Sequence, residues 1–89
     1  MTLTEYCDAL NIQIVCTYIP NQDNRWTSKF YGADVREGNH GLLGVYGNGK
    51  TAYAATVDYY KQIKGRTIVF HAMSETERRE YKVPENISL

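Results

Sequence analysis

The run Gly44-Val45-Tyr46-Gly47-Asn48-Gly49-Lys50-Thr51 constrains this chain more than any other stretch, because closely spaced glycines ahead of a threonine fix where the backbone changes direction. Thr51 is a natural helix N-cap. After it, Ala52, Ala55, Thr56, Tyr59, Tyr60 and Ile63 fall on one helical face, with Asp58, Lys61 and Lys64 on the other. Leu42 to Tyr46 precedes the glycines as a strand, so Gly47-Asn48-Gly49 is expected as the turn joining strand to helix.

The same eight residues satisfy the pattern G-x-x-x-x-G-K-[ST], in which backbone amides and a lysine hold a nucleotide triphosphate. That chemistry also needs a buried strand to aim the loop and an acid on a second strand near Mg²⁺. Here the preceding residues Glu37 to Leu43 are a turn and then too few apolar residues for a buried strand, and Thr67 to His71 ends without an aspartate. A plain junction is therefore the expectation. Nucleotide binding at Gly44 to Thr51, with hydrolysis at Lys50, is kept as an alternative, as is another anion on the amides of Asn48 to Thr51.

The rest of the chain supplies the partners of this junction. Thr2-Leu3-Thr4-Glu5 has capping-box spacing, and Leu3, Tyr6, Cys7 and Leu10 follow at helical intervals. From Asn11 the period becomes two: Ile12, Ile14, Cys16 and Tyr18 point one way, and Gln13, Val15, Thr17 and Ile19 the other. Pro20 to Asn24 is a turn, and Arg25 to Val35 is a β-prone run completing a hairpin. Gly32 within it marks a bulge or close approach that moves the inward face from Trp26 and Phe30 to Ala33 and Val35.

Gly65 stops the second helix, and Thr67-Ile68-Val69-Phe70 makes a short strand. Ser74 and Glu77 have the spacing to cap one helical turn, but the alternative is the expectation: Arg79 to Val83 pairs as an extended strand ended by Pro84, with fraying beyond Asn86. The predicted order is α-β-β-β-α-β. This is an α+β class, with an antiparallel sheet and helices packed on one face. Eighty-nine residues make one domain, its core over about residues 2–72 and an extension over 73–89.

The glycine junction and the second helix, Gly44 to Ala55, resemble the end of the third strand and the start of the second helix in the double-stranded RNA-binding domain. The likeness covers roughly residues 2–64 and implies that fold, with contacts to duplex RNA. Where the family has a serine and then adjacent lysines, this chain has Thr51, Ala52 and Tyr53, and Thr56 replaces the lysine after the core alanine. The phosphate-gripping lysines are thus absent. The stretch from Gly49-Lys50-Thr51 to Ile68-Val69-Phe70 is also similar to HicB-type antitoxins, and small bacteriophage accessory proteins share this type and size.

Ten basic and ten acidic side chains cancel, which removes the overall positive field of a nonspecific nucleic-acid binder. Any such footprint falls to Lys50, Lys61, Lys64 and Arg66. Eight tyrosines and one tryptophan favour a protein partner instead, and Tyr31, Tyr46 and Tyr53 are its expected surface. Self-association is a further expectation, through an edge strand at Thr67 to Phe70 if the tail leaves it open.

Catalytic chemistry finds little support. His40 and His71 lack a convincing partner base or acid, and Ser28 and Ser74 sit in no nucleophile elbow. Cys7, Cys16, His40 and His71 can ligate zinc by residue type, but their spacings are not paired, so no metal and no cofactor are expected. Both thiols read as reduced packing residues. With no secretory leader and no long apolar run, the expected setting is cytoplasmic, without a membrane. The chain is read as a non-catalytic interaction module, with RNA or DNA binding or an antitoxin role as the alternative.

Overall fold

The computed structural model describes residues 1–39 and 41–89. Helix α1, Leu3–Leu10, starts on a complete capping box: the Glu5 amide donates to the Thr2 hydroxyl at 3.2 Å, and the Thr2 amide donates to the Glu5 carboxylate at 2.9 Å. Asn11 ends it in the left-handed conformation, with φ 55°. Leu3, Tyr6 and Cys7 face inward.

Two antiparallel sheets follow. Strands β1 (Ile14–Tyr18), β2 (Trp26–Phe30) and β5 (Gly47–Gly49) form one, in the order β1-β2-β5. Strands β3 (Ala33–Glu37), β4 (Gly41–Leu43), β6 (Thr67–Phe70) and β7 (Arg79–Lys82) form the other, in the order β4-β3-β6-β7. The α+β class with antiparallel pairing is as expected. The single sheet and the α-β-β-β-α-β order are replaced by two sheets and a finer series of strands.

Each difference has a local cause. The β-prone run from Arg25 to Val35 is broken at Tyr31-Gly32, where Gly32 takes φ 72° and its carbonyl accepts the His71 amide at 3.0 Å. Its two halves enter different sheets, yet Phe30, Ala33 and Val35 are all buried. The expected third strand, Leu42 to Tyr46, is likewise divided. Gly41–Leu43 pairs with β3, and the chain then crosses over to pair Gly47–Gly49 with β2, in the register Trp26 with Gly49 and Ser28 with Gly47.

The turn expected at Gly47-Asn48-Gly49 is therefore a strand. Its glycines are required by contact, not by direction. Helix α2, Ala52–Ile63, lies directly on β5, and a Cβ on Gly49 would sit 2.5 Å from the Ala55 nitrogen. A Cβ on Gly47 would overlap the Ala55 carbonyl and the Tyr59 amide. Thr51 caps α2 as expected, accepting the Ala54 amide at 3.0 Å, and Ala55, Tyr59, Tyr60 and Ile63 are its buried residues.

One core gathers Leu3, Tyr6, Cys7, Ile12, Phe30, Val35, Tyr59, Tyr60, Ile63, Ile68 and Phe70. It also includes Val83 and Ile87, so it runs well past the expected boundary at residue 72. The fraying expected beyond Asn86 is absent. Ser88 bridges to Thr2, the Ile87 amide donates to the Tyr60 hydroxyl at 3.1 Å, and that hydroxyl donates to the Pro84 carbonyl. The tail takes the extended reading: Arg79–Lys82 pairs with β6, and before it Ser74 accepts the Glu77 amide at 3.0 Å in a turn rather than in a helix.

That pairing places β6 between β3 and β7. The edge expected at Thr67 to Phe70 for self-association is thus occupied by the chain's own tail. Cys16, read from the sequence as a packing residue, and Tyr18 on the same side of the strand are exposed because β1 is a sheet edge and α2 covers only part of it. No helix among the described residues is long and apolar enough to cross a membrane.

The glycine contact sets a clear contrast. Gly47→Ala is expected to destabilise the chain by about 3 kcal/mol, because the clash is with backbone that cannot rotate away. Gly44→Ala, whose Cβ meets only the Asp34 side chain at 3.8 Å, should be within about 0.5 kcal/mol of neutral. Urea-unfolding midpoints of the two variants check this.

Candidate functional site

Strand alternation gives the sheet β1-β2-β5 two unlike faces. Ile14, Cys16 and Tyr18 of β1, paired with Phe30, Ser28 and Trp26 of β2, point toward α2 together with Gly47 and Gly49. Here the Ser28 hydroxyl, 1% exposed, lies 2.9 Å from that of Thr56, and the Cys16 thiol donates to Ser28 at 3.6 Å. The small polar contact satisfies the buried hydroxyl of Ser28 on this face.

The opposite face carries no covering layer among the described residues. Val15, Thr17, Ile19, Thr27, Lys29, Tyr31 and Tyr46 border a shallow groove of about 450 Å³ on it. Tyr31 is 59% exposed and Tyr46 is 55% exposed. Among the described residues, Lys29 supplies the only charge on the groove wall. The result is an apolar floor with aromatic rims and a single cation.

Its rims are held from behind. Gln62 donates from Nε2 to the Tyr46 carbonyl at 3.0 Å and to the Asp58 carboxylate at 3.1 Å. The same carboxylate oxygen accepts the Asn48 amide at 2.9 Å. On the other side, the Tyr31 ring meets the His71 ring edge-on with centroids 6.1 Å apart, and a Cβ at Gly32 would come within 2.8 Å of that imidazole. Glycine at 32 lets the two rings approach.

The expected surface residues divide into two places. Tyr31 and Tyr46 meet at the groove. Tyr53, 65% exposed, stands instead over the first turn of α2, in a second groove of about 330 Å³ shared with Leu3, Ile14, Val57 and Leu89. The expected cations divide as well: Lys50 precedes α2, whereas Lys61, Lys64 and Arg66 sit at its far end, about 16 Å away along the helix rise. They form no single patch.

Two groups that a phosphate would need at Gly44 to Thr51 are already bonded within the chain: the Asn48 amide to Asp58 and the Thr51 hydroxyl to the Ala54 amide. Of the zinc-type residues, Cys7 is buried on α1, Cys16 is exposed on β1 and His71 packs on Tyr31, while His40 lies outside the described residues. Among the described residues no three His, Cys, Asp or Glu side chains converge. Val15, Ile19 and Lys29 are groove residues that the sequence does not single out. Their alternation is visible in it, but not which face α2 leaves bare.

Burial separates the two thiols chemically. The apolar surroundings push the Cys7 thiol up to about 11 and the Tyr59 phenol up to about 12. Hydrogen bonding to Arg36 holds Glu80 below the usual carboxylate range, and the Thr2 amide does the same for Glu5.

No protein-family model, curated protein or solved structure matches this chain.

Alkylation at pH 8 should modify Cys16 in the native chain and reach Cys7 only in denaturant; equal labelling of both would contradict the burial of Cys7. The raised values also fix the alkaline behaviour. Both groups favour their neutral forms when folded, so their contribution is intact below the unfolded values of 9.0 and 10.0 and fades as the pH rises toward 11 and 12. The urea midpoint is expected to fall above pH 9.

Proposed function

We propose that this chain is a non-catalytic interaction module of the cytoplasm that docks another protein on the open face of β1-β2-β5. One observation carries the reading: a sheet whose first face is packed in part by α2 leaves Tyr31 and Tyr46 exposed and Val15 and Ile19 half-buried along an open groove on its second. Apolar sheet faces are ordinarily covered by another layer, and exposed aromatic rims around an apolar floor are the composition of protein contact surfaces. A partner supplies the missing layer.

The groove also states what the partner presents. Apolar side chains fit its floor, and a carboxylate fits opposite Lys29. Both cysteines are free, in keeping with a reducing compartment. The division of Lys50 from Lys61, Lys64 and Arg66 leaves the nucleic-acid reading without a continuous basic surface, although the resemblance to the double-stranded RNA-binding domain keeps duplex RNA as the rival ligand.

Selection from a displayed library of random peptides, with the whole chain as bait, tests the proposal. Enriched peptides are expected to combine apolar residues with an acid and to lose at least about tenfold in affinity, about 1.4 kcal/mol, against Tyr46→Ala or Lys29→Glu. Peptides that bind these variants as well as the parent would refute the groove. Binding to labelled duplex RNA at low salt, weakened by Lys61→Glu and by added salt, would favour the rival instead.

A further inference from the structure

A sheet edge exposes unpaired backbone groups, and proteins blunt such edges with charge, proline, short strands or covering groups. The two sheets have four edges: β1, β5, β4 and β7. Strand β4 has three residues. Strand β7 is Arg79-Glu80-Tyr81-Lys82, with three charged side chains and Pro84 just beyond. Strand β5 is also three residues long, and Asp58 accepts its central amide. Strand β1, Ile14-Val15-Cys16-Thr17-Tyr18, has five residues with no charge and no proline.

The direction of its free groups follows from the hairpin. Tyr31 donates its amide to the Gln13 carbonyl at 2.8 Å, and Ile19 donates to the Arg25 carbonyl at 2.6 Å, so the odd-numbered residues of β1 bond to β2. Antiparallel alternation turns the amides and carbonyls of Ile14, Cys16 and Tyr18 toward the open side. These three positions are symmetric about Cys16.

We infer that a second copy of this chain pairs antiparallel with β1 across a two-fold axis at Cys16, joining two three-stranded sheets into one of six. Cys16 then exchanges backbone hydrogen bonds with its counterpart, and Ile14 of each copy does so with Tyr18 of the other, about six bonds in all. Self-pairing satisfies the chemistry of the edge. Ile14 opposite Tyr18 is a favourable aliphatic–aromatic pair, and no like charges meet. The chain's formal net charge of +0 adds no repulsion between copies.

The flanks extend the seam beyond the strand. The groove beside β1, bordered by Ile14, Tyr53 and Val57, brings the exposed Tyr53 ring to the side where α2 of the second copy arrives. A stable contact takes about 800 Å² from each partner. That is a modest part of the 5778 Å² that the single chain exposes. The pairing uses the edge of β1 and is independent of the open face, which the joined sheet would present twice, side by side.

Sedimentation equilibrium of the reduced chain tests the inference, with the expected mass twice the monomer's 10.2 kDa at concentrations of about 10–100 μM. Cys16→Pro removes an amide that the monomer does not use, and Tyr18→Glu places a charge on the seam. Each is expected to give a monomer with an unchanged circular-dichroism spectrum, the second variant serving should the first misfold. A monomeric mass across that range, or a dimer that survives both substitutions, would overturn the inference.

Discussion

The contact on which the rest of the structure depends is the close approach of helix α2 to strand β5, backbone against backbone across Gly47 and Gly49. With no side chains between them, the helix lies low on the sheet. From there Asp58 and Gln62 reach the Asn48 amide and the Tyr46 carbonyl, and Tyr59 and Ile63 enter the core. Any larger residue at 47 would push the helix away from all of these partners together. The same contact covers one face of β1-β2-β5 and leaves the other without a layer.

The second constraint is the closure of the chain on itself. Strand β7 protects β6, and the last residues pair with the first, so Ile87 and Val83 join Leu3 and Tyr60 in one core. In a domain of this size the core is small, and drawing both termini into it adds buried apolar area that the middle of the chain cannot supply alone. A consequence reaches the surface: with β6 internal and β7 charged, β1 is left as the unblunted edge. On that edge Cys16 stays accessible while Cys7 is sealed.

Much of this fold is legible in the order of the residues alone. The capping box at Thr2, the cap at Thr51, both helices, the strand at Thr67 to Phe70 and the extended Arg79 to Lys82 all rest on short-range spacing that acts within a few residues. Where local pattern misleads, residues far apart decide. Gly47-Asn48-Gly49 has turn composition, but its strand character comes from Trp26 to Ser28 and from α2. Tyr18 has the alternation of a buried residue, yet it stays exposed on the edge strand. Beyond Asn86 the local pattern suggests fraying, whereas Ile87, one apolar residue among polar ones, anchors the end of the chain.

For the site, the sequence by itself determined the ingredients: an excess of tyrosine, a balanced charge, two unpaired cysteines and a glycine-rich junction that had to do something special. Which tyrosines act together was decided only by the tertiary structure. Tyr31 and Tyr46 come from two separate passages between the sheets, β2 to β3 and β4 to β5, and Tyr53 faces a different groove, because a residue's face is set by local period but its neighbours are set by strand order and helix placement. Periodicity can say that Val15 and Ile19 share a face. Only the packing of α2 on the glycines says that this face is the one left bare.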